Sequence, residues 1–536
     1  MNGIELLIIA IVFFGFGYIF YGKFLTKKLG IDNKISTPSH TMTDGVDYVP
    51  AKSPVLLGHH FASIAGAGPI IGPVIAAGFG WLPVYLWVLF GAVFIGGVHD
   101  YSSIIVSIRH HGKSIGYIIE SYIGLSGKKL FLLFAWATLI LVIAVFTIIV
   151  ADTFKNIPSA GTSSILFMLL AVIFGFSIYR LKVPLWLATL FGVALLFLSI
   201  PLGNLFPIEL DVLTWQLILF GYIFIASVVP VWILLQPRDY LNSFFLYALI
   251  FGGLIGVFFA APEINIPSFA TFELKNVGYL FPALFVTVAC GAISGFHSLV
   301  GSGTTSKQLN KETDGKIVGY GGMLIEGLLA VLSLVAVASL VNKEFMDILI
   351  TRGPVPAFSI GVANFLNAIP ILNIPLNVGQ TFTALAVSAF ALTSLDTATR
   401  LARFTFTEFF EVQSKKENSI LLKNRYFSTA VTVIIAAFLV ISGQSMSIWP
   451  IFGSANQLLA ALAFLAITVW SIKLKKGSLF VLIPMLFMFS ITLTTLAMLI
   501  YTNLIATNYL LMIISLLLFS LAIVLGIKGY IVLTKN

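Results

Sequence analysis

Residues 58–73 read GHHFASIAGAGPIIGP, the densest run of chemically suggestive residue types in the chain. Two adjacent histidines, His59 and His60, precede Ser63. Gly66, Ala67, Gly68 and Pro69 follow, with Gly72 and Pro73 close behind. Proline offers no backbone donor and glycine tolerates non-helical dihedrals, so a helix written through this run is expected to break. Inside a bilayer, a broken helix presents a half-helix N-terminus that attracts a carboxylate and free carbonyls that hold cations. The same residues also fit a simple kink with close glycine packing against a neighbour.

A second run, ACGAISGFHSLVGSGTTSKQL at 289–309, is small and rich in hydroxyls around His297. Ser294, Ser298, Ser302, Thr304 and Thr305 could line a polar path or coordinate an ion, or could bond back to their own helix. Ionisable residues inside apolar runs are costly and read as functional. The set is His59, His60, His99, Asp100, His297, Glu326 and Asp396. Imidazole titrates near neutral pH, which makes the histidines candidate proton carriers. Arg400 lies one turn beyond Asp396, so the two share a helix face and can pair as a gate or a structural latch. Val228-Val229-Pro230 is a further expected break.

Other chemistries find no support. There is no GxxxxGK[ST] phosphate loop and no HExxH, and GxSxG has no convincing context. A hydrolase using His297 and Ser298 fails because adjacent residues point to different helix faces. Likewise His59 and His60 do not share a face, so no metal is expected, and no cofactor. An ion gradient or the solute gradient itself must then drive any transport.

The elements that position these residues follow from composition. The chain has 536 residues, 59% hydrophobic and 10% charged, against roughly 25% charged in soluble proteins. Lipid must therefore be its solvent. The net charge of +9 is dispersed in short clusters between apolar runs, the pattern of membrane orientation and not of a nucleic-acid site. The single cysteine, Cys290, cannot form an internal disulfide.

Fifteen apolar runs are long enough to be membrane helices. They are Ile4–Tyr21 (a retained first helix), Val55–Phe79, Leu82–Ile108, Leu130–Phe154, Ser164–Tyr179, Pro184–Leu202, Leu213–Leu235 and Tyr240–Ala260. The others are Tyr279–Thr305, Ile317–Leu340, Thr381–Phe404, Tyr426–Ser442, Ile448–Trp470, Leu479–Tyr501 and Tyr509–Ile527. With the N-terminus outside and one crossing per run, 26 of the 30 Lys and Arg fall on the cytoplasmic side, Arg238 among them. The expected fold is thus an all-α polytopic helical bundle of about 15 transmembrane helices, N-out and C-in. Ser114–Gly124 should lie at the interface, and Asn342–Gly379 is a long external connection, either a lid or a re-entrant element. The expected organisation is an N-terminal helix and loop (1–53), a transporter core (54–404) and C-terminal transmembrane helices (405–536).

GHHFASIAGAGPIIGPVIAAGFGWLP and the following GGVHDYSSIIVSIRHHGKSIG closely resemble the signature region of the carbon starvation protein A family. IASVVPVWILLQPRDYLNSF, GFHSLVGSGTTSKQL and TSLDTATRLARF resemble its later blocks, so the likeness runs from about Lys52 to Phe404. It implies import of small nutrients, peptides or pyruvate, with proton coupling, on an inverted-repeat core of the amino acid–polyamine–organocation type. A five-plus-five arrangement would make Val55–Phe79 and Leu213–Leu235 equivalent spans of opposite orientation, would seat Tyr279–Thr305 beside the first broken helix, and is preferred; a seven-plus-seven arrangement would make Val55–Phe79 equivalent to Tyr279–Thr305.

The resulting expectation is a secondary transporter of the inner membrane. It would import pyruvate or a similar monocarboxylate by proton symport, or alternatively peptides; a non-translocating nutrient sensor is the third reading. Ser63, Gly66, Ala67, Gly68, Pro69 and Ser298 would bind the substrate. His59, His60, Asp100, His297, Ser302, Thr304 and Thr305 would carry the proton or other cation, with Asp396 and Arg400 as a gate. Lipid is the expected surrounding partner, and nothing in the sequence fixes an oligomeric state.

Overall fold

The computed structural model describes residues 2–44, 47–230, 233–275, 277–413, 424–442, 448–474 and 477–534. Lys415, Lys416, Lys423, Lys475, Lys476 and Lys535, counted in the charge bias, lie outside the described residues. The chain is almost wholly helical; among the described residues the strands amount to one short pair, Glu273–Leu274 with Gly278–Tyr279. In chain order the helices are α1 (Gly3–Leu29), the bent pair α2 (Ser53–Ile64) and α3 (Gly68–Phe79), α4 (Trp81–Arg109) and the short α5 (Ile115–Ile123). Next come α6 (Leu125–Asn156), α7 (Pro158–Tyr179), α8 (Leu185–Leu205), α9 (Val212–Val228) and α10 (Leu235–Ala260). The second half holds α11 (Leu280–Thr287), α12 (Gly295–Val300), α13 (Lys316–Ala338), α14 (Asn342–Thr351), α15 (Pro354–Asn367) and α16 (Leu376–Gln413). It ends with α17 (Arg425–Ile441), α18 (Ile448–Lys473), α19 (Leu479–Ile505) and α20 (Tyr509–Thr534).

Eleven of these helices are individually long and apolar enough to cross a membrane, and α2–α3 makes a twelfth span bent by 48°. α9 and α17 are apolar but have 17 residues each, about 26 Å at 1.5 Å per residue, short of a hydrocarbon core of roughly 30 Å. The run expected as one span at Tyr279–Thr305 is interrupted: residues 288–294 leave the helix between α11 and α12. Among the described residues each of the fifteen apolar runs contains helix, but not all are single continuous spans.

The connections sort to two ends. At one, Arg109 pairs with Glu312 at 2.9 Å and donates to the Gly30 carbonyl, while Glu312 also accepts from the Asp32 amide. At the other, Gly3 bonds to the Pro262 carbonyl, Asn265 to that of Ala338, and Asn156 to that of Arg352. The amphipathic α5 buries Ile115, Ile118 and Ile119 against α6. Asn342–Gly379 is no loose lid: α14 and α15 fill most of it, and α15 buries Phe358, Val362 and Ala363 against α10, α13 and α16.

Burial grades from centre to rim. The apolar windows of α13, α16 and α18 are 89%, 89% and 94% buried, against 28% for α8 and α20. The first three are therefore the interior posts, and the last two present side chains to lipid.

The two interrupted spans cross at their breaks. A Cβ on Gly72 would stand 2.6 Å from the Thr287 carbonyl oxygen and 3.2 Å from the Val288 Cα, and a Cβ on Gly68 would run into the Cys290 sulfur. Glycine is required at Gly72 for close backbone approach. The break of α11–α12 therefore lies against the start of α3, the neighbour that the five-plus-five arrangement seats there. The interruption after Val228 lies elsewhere, against α16 and α17, where Arg400, Arg403 and Thr429 meet it. A break is legible from Gly and Pro, but its partner is set by packing, which one run of residues does not encode.

Candidate functional site

The helix breaks where its donors run out. Ala65 leaves helical dihedrals (φ −76°, ψ 68°) and α3 restarts at Gly68 with Pro69 in its first turn. Pro69 has no N–H for the Ala65 carbonyl, and Pro73 has none for that of Pro69, so both acceptors are freed. No side chain caps the N-terminus of α3. The N-terminus of α12 is closed instead. Asn456 of α18 accepts from the Phe296 amide at 3.0 Å and donates to Ser294 Oγ at 3.1 Å. Of the two half-helix N-termini at the crossing, α3 carries the one left to attract an anion.

Beside this crossing lies a buried chain of acids and imidazoles. His99 Nδ1 and Asp100 Oδ1 are 2.8 Å apart, and Asp100 Oδ2 meets His297 Nδ1 at 2.8 Å. His297 Nε2 stands 3.4 Å from Glu326 Oε2, an ion contact with no formed hydrogen bond. One turn before Glu326, Gly322 faces the His60 ring, whose Nδ1 meets Thr305 Oγ1 at 2.8 Å. His60, His99, Asp100, His297 and Glu326 are all at most 1% exposed. Both Glu326 oxygens and the Nε2 atoms of His60 and His99 have no hydrogen-bond partner among the described residues. A buried carboxylate without donors is costly unless a proton or cation joins it.

π turns adjoin the cluster on three of its helices. Ala92–Gly96 precedes His99 and Asp100, Gly301–Thr305 follows His297, and Lys316–Gly321 precedes Glu326. Such turns interrupt regular packing and recur at functional sites.

The hydroxyls expected near the ion divide unevenly. Ser63, Ser298 and Ser302 bond back to carbonyls of their own helices, those of His59, Gly295 and Ser298. Ser302 also receives the Ile115 amide, and Thr304 is exposed. Thr305 alone of this group meets an imidazole. His59 stands apart from His60, exposed in a crevice beside Asp239, next to the Gly58 face that approaches Tyr247. Gly66 lies against Ser394 of α16, whose hydroxyl occupies the space a Cβ would need.

Asp396 and Arg400 do not form the expected pair. Asp396 is held by the buried Arg238 and by Tyr222 Oη, which donates at 2.8 Å. Arg238 also reaches Asp239 at 2.8 Å. Arg400 donates instead to the carbonyls of Ala226 and Val229, and Arg403 to that of Ser227. These are orphan acceptors at the C-terminus of α9, where a guanidinium also meets the negative end of the helix dipole. Spacing put Asp396 and Arg400 on one face, but a neighbouring helix supplied each with a better partner. Arg238, assigned to a cytoplasmic end by the charge count, is fully buried. Its signal in the sequence was the QPRDY segment inside an otherwise apolar stretch. Glu326 and His99 stood among the intramembrane ionisable residues, but their apolar surroundings gave no hint of a partner. Asn456 carried no sequence signal beyond being an amide in an apolar helix.

The sequence profile described as Carbon starvation protein CstA matches residues 2–351 and 346–495. The chain belongs to the CstA family. The peptide transporter CstA of Bacillus subtilis is 31% identical over 526 residues, covering 87% of this chain and 84% of the relative. The peptide transporter CstA of Escherichia coli is 30% identical, with 92% and 80% covered. The pyruvate/proton symporter BtsT of Escherichia coli is also 30% identical, with 86% and 76% covered. Membership of CstA makes this chain a multi-pass transporter of the inner membrane, and the relatives' names point away from an enzyme.

Proposed function

We propose that this CstA-family chain imports a small carboxylate-bearing nutrient by proton symport around the α2–α3 break. The observation that carries the reading is the sealed chain His99–Asp100–His297–Glu326 beside an uncapped half-helix N-terminus. The amides at Ala67 and Gly68 would receive the carboxylate, and the acid–imidazole chain would take the proton. Protonation of Glu326 or of an imidazole changes the net charge next to the carboxylate, which couples the two ligands electrostatically. Asp396 belongs to a latch with Arg238, and Arg400 to the end of α9. His59 would face the cytoplasmic crevice.

Pyruvate or a similar monocarboxylate needs nothing more than this. A peptide brings an amine as well, and one observation favours that second reading: a cavity beside α3 lined by a carboxylate, Asp152, that has no ion-pair partner among the described residues. The test is uptake of labelled pyruvate and of labelled dialanine into proteoliposomes, with and without an inward proton gradient. Gradient-driven accumulation of either, lost in His297→Ala and in Gly68→Leu at normal expression, is the expected result. Full activity in both variants would sink the site assignment.

A further inference from the structure

On the α3 side of the break, at the end opposite the Arg109–Glu312 pair, lies a small cavity of about 60 Å³, partly open to solvent. A space of this size takes one small polar group, such as an ammonium, and not a whole solute. Ile71 and Ile75 of α3, Ile148 and Asp152 of α6 and Trp449 of α18 line it, with the exposed Arg352 beside them. It shares α3 with the break, its lining residue Ile71 standing one turn from Gly68.

Two polar groups in these apolar walls have no partner of their own. Asp152 forms no ion pair among the described residues, although Lys155 and Arg352 are near. It also sits within the last two turns of α6, where the helix dipole disfavours a carboxylate. Trp449 is 7% exposed, yet its indole N–H finds no acceptor among the described residues. The N-terminus of α15, which also borders the cavity, does little to offset this, because Pro354 and Pro356 remove two of its donors. A carboxylate acceptor and an indole donor, set in an apolar wall, match a free α-amine adjoining a carbonyl. The indole face can add a cation–π contact to the same ammonium.

We infer that this cavity is a recognition subsite for the free N-terminal amine of a short peptide, with Asp152 receiving the ammonium and Trp449 Nε1 the neighbouring carbonyl. The inference rests on the peptide reading above, and deepens it by naming the group that separates a peptide from a monocarboxylate.

The test is calorimetric titration of the detergent-solubilised full chain with dialanine, N-acetyl-dialanine, pyruvate and sodium chloride. Free dialanine is expected to bind at least tenfold more tightly than its N-acetyl form. Asp152→Asn should erase that difference, leaving the N-acetyl form and pyruvate unchanged, and Asp152→Glu should restore part of it. Trp449→Phe, which keeps the ring and removes the N–H, should weaken dialanine alone. Equal binding of free and acetylated peptide, no effect of Asp152→Asn, or no dialanine binding at all would overturn the subsite. An Asp152-dependent sodium heat without a peptide heat would overturn it in favour of a bare cation. Proton-driven uptake reads the transport proposal separately. If pyruvate uptake persists while amine selectivity is absent, only the subsite falls. If Asp152-dependent dialanine binding occurs without gradient-driven uptake, only the coupling falls.

Discussion

The Arg238–Asp396 pair offers a sharp test of what holds the centre of this bundle together. Both side chains are 0% exposed. Removing one partner from a buried ion pair typically costs about 3–5 kcal/mol, because the other charge is left unpaired. The surroundings make the two removals unequal. Arg238→Met leaves Asp396 with one donor, Tyr222 Oη, while its Oδ1 already lacks any partner among the described residues. Asp396→Asn leaves Arg238 still bound to Asp239 at 2.8 and 3.2 Å and to Tyr222 Oη at 2.7 Å. The first change should therefore cost near the full range, and the second about 1–3 kcal/mol, as for a weakened buried hydrogen bond. The double variant should recover at least about 2 kcal/mol of the sum, since neither charge is then stranded. Reversible unfolding in mixed micelles by a denaturing detergent reads all three, and 3 kcal/mol is about a hundredfold in the equilibrium constant. Arg400→Gln serves as the control and should show no coupling to Asp396→Asn. Additive effects of Arg238→Met and Asp396→Asn, within about 0.5 kcal/mol, would refute the pairing. So would strong coupling to Arg400.

Three further outcomes follow from the same geometry. Glu326→Gln keeps the shape of the buried acid while removing its charge. Gradient-driven accumulation should vanish while substrate exchange at equal pH survives, and unaltered accumulation would remove Glu326 from the coupling chain. Gly72→Ala places a Cβ 2.6 Å from the Thr287 carbonyl, so it should cost about 1–3 kcal/mol of stability by overpacking, and a neutral thermal melt would contradict the close crossing of the two breaks. In a Cys290→Ser background, His59→Cys should react with a membrane-impermeant thiol reagent in inside-out vesicles and be spared in right-side-out ones; the reverse pattern would invert the assigned orientation.

Much of the fold was legible because the bilayer leaves few choices. Long apolar runs in lipid must be helices. The run GAGPIIGP announced its own break, since Pro69 and Pro73 withdraw two donors within one turn. What could not be read is everything decided between helices. Asp396 met Arg238, 158 positions away, in preference to Arg400 one turn along. Hydroxyls such as Ser298 and Ser302, counted as ion ligands by composition, were satisfied by their own helix, as local bonding allows. Asp100 and His297 did meet, although no spacing rule links them.

The 38-residue α16 acts as a stiff rod about 57 Å long, and three of its fastenings to neighbouring elements sit close together. Ser394 props the Gly66 break, Asp396 holds α10 through Arg238, and Arg400 and Arg403 grip the end of α9. The ten positions from Ser394 to Arg403, about 14 Å of rise, carry these three. A rod cannot let go of one fastening by bending between neighbours this close. Any stroke that withdraws Ser394 from the break must also strain the latch and the grip on α9, so the unlocking of the path and the movement of the flanking helices become one mechanical event.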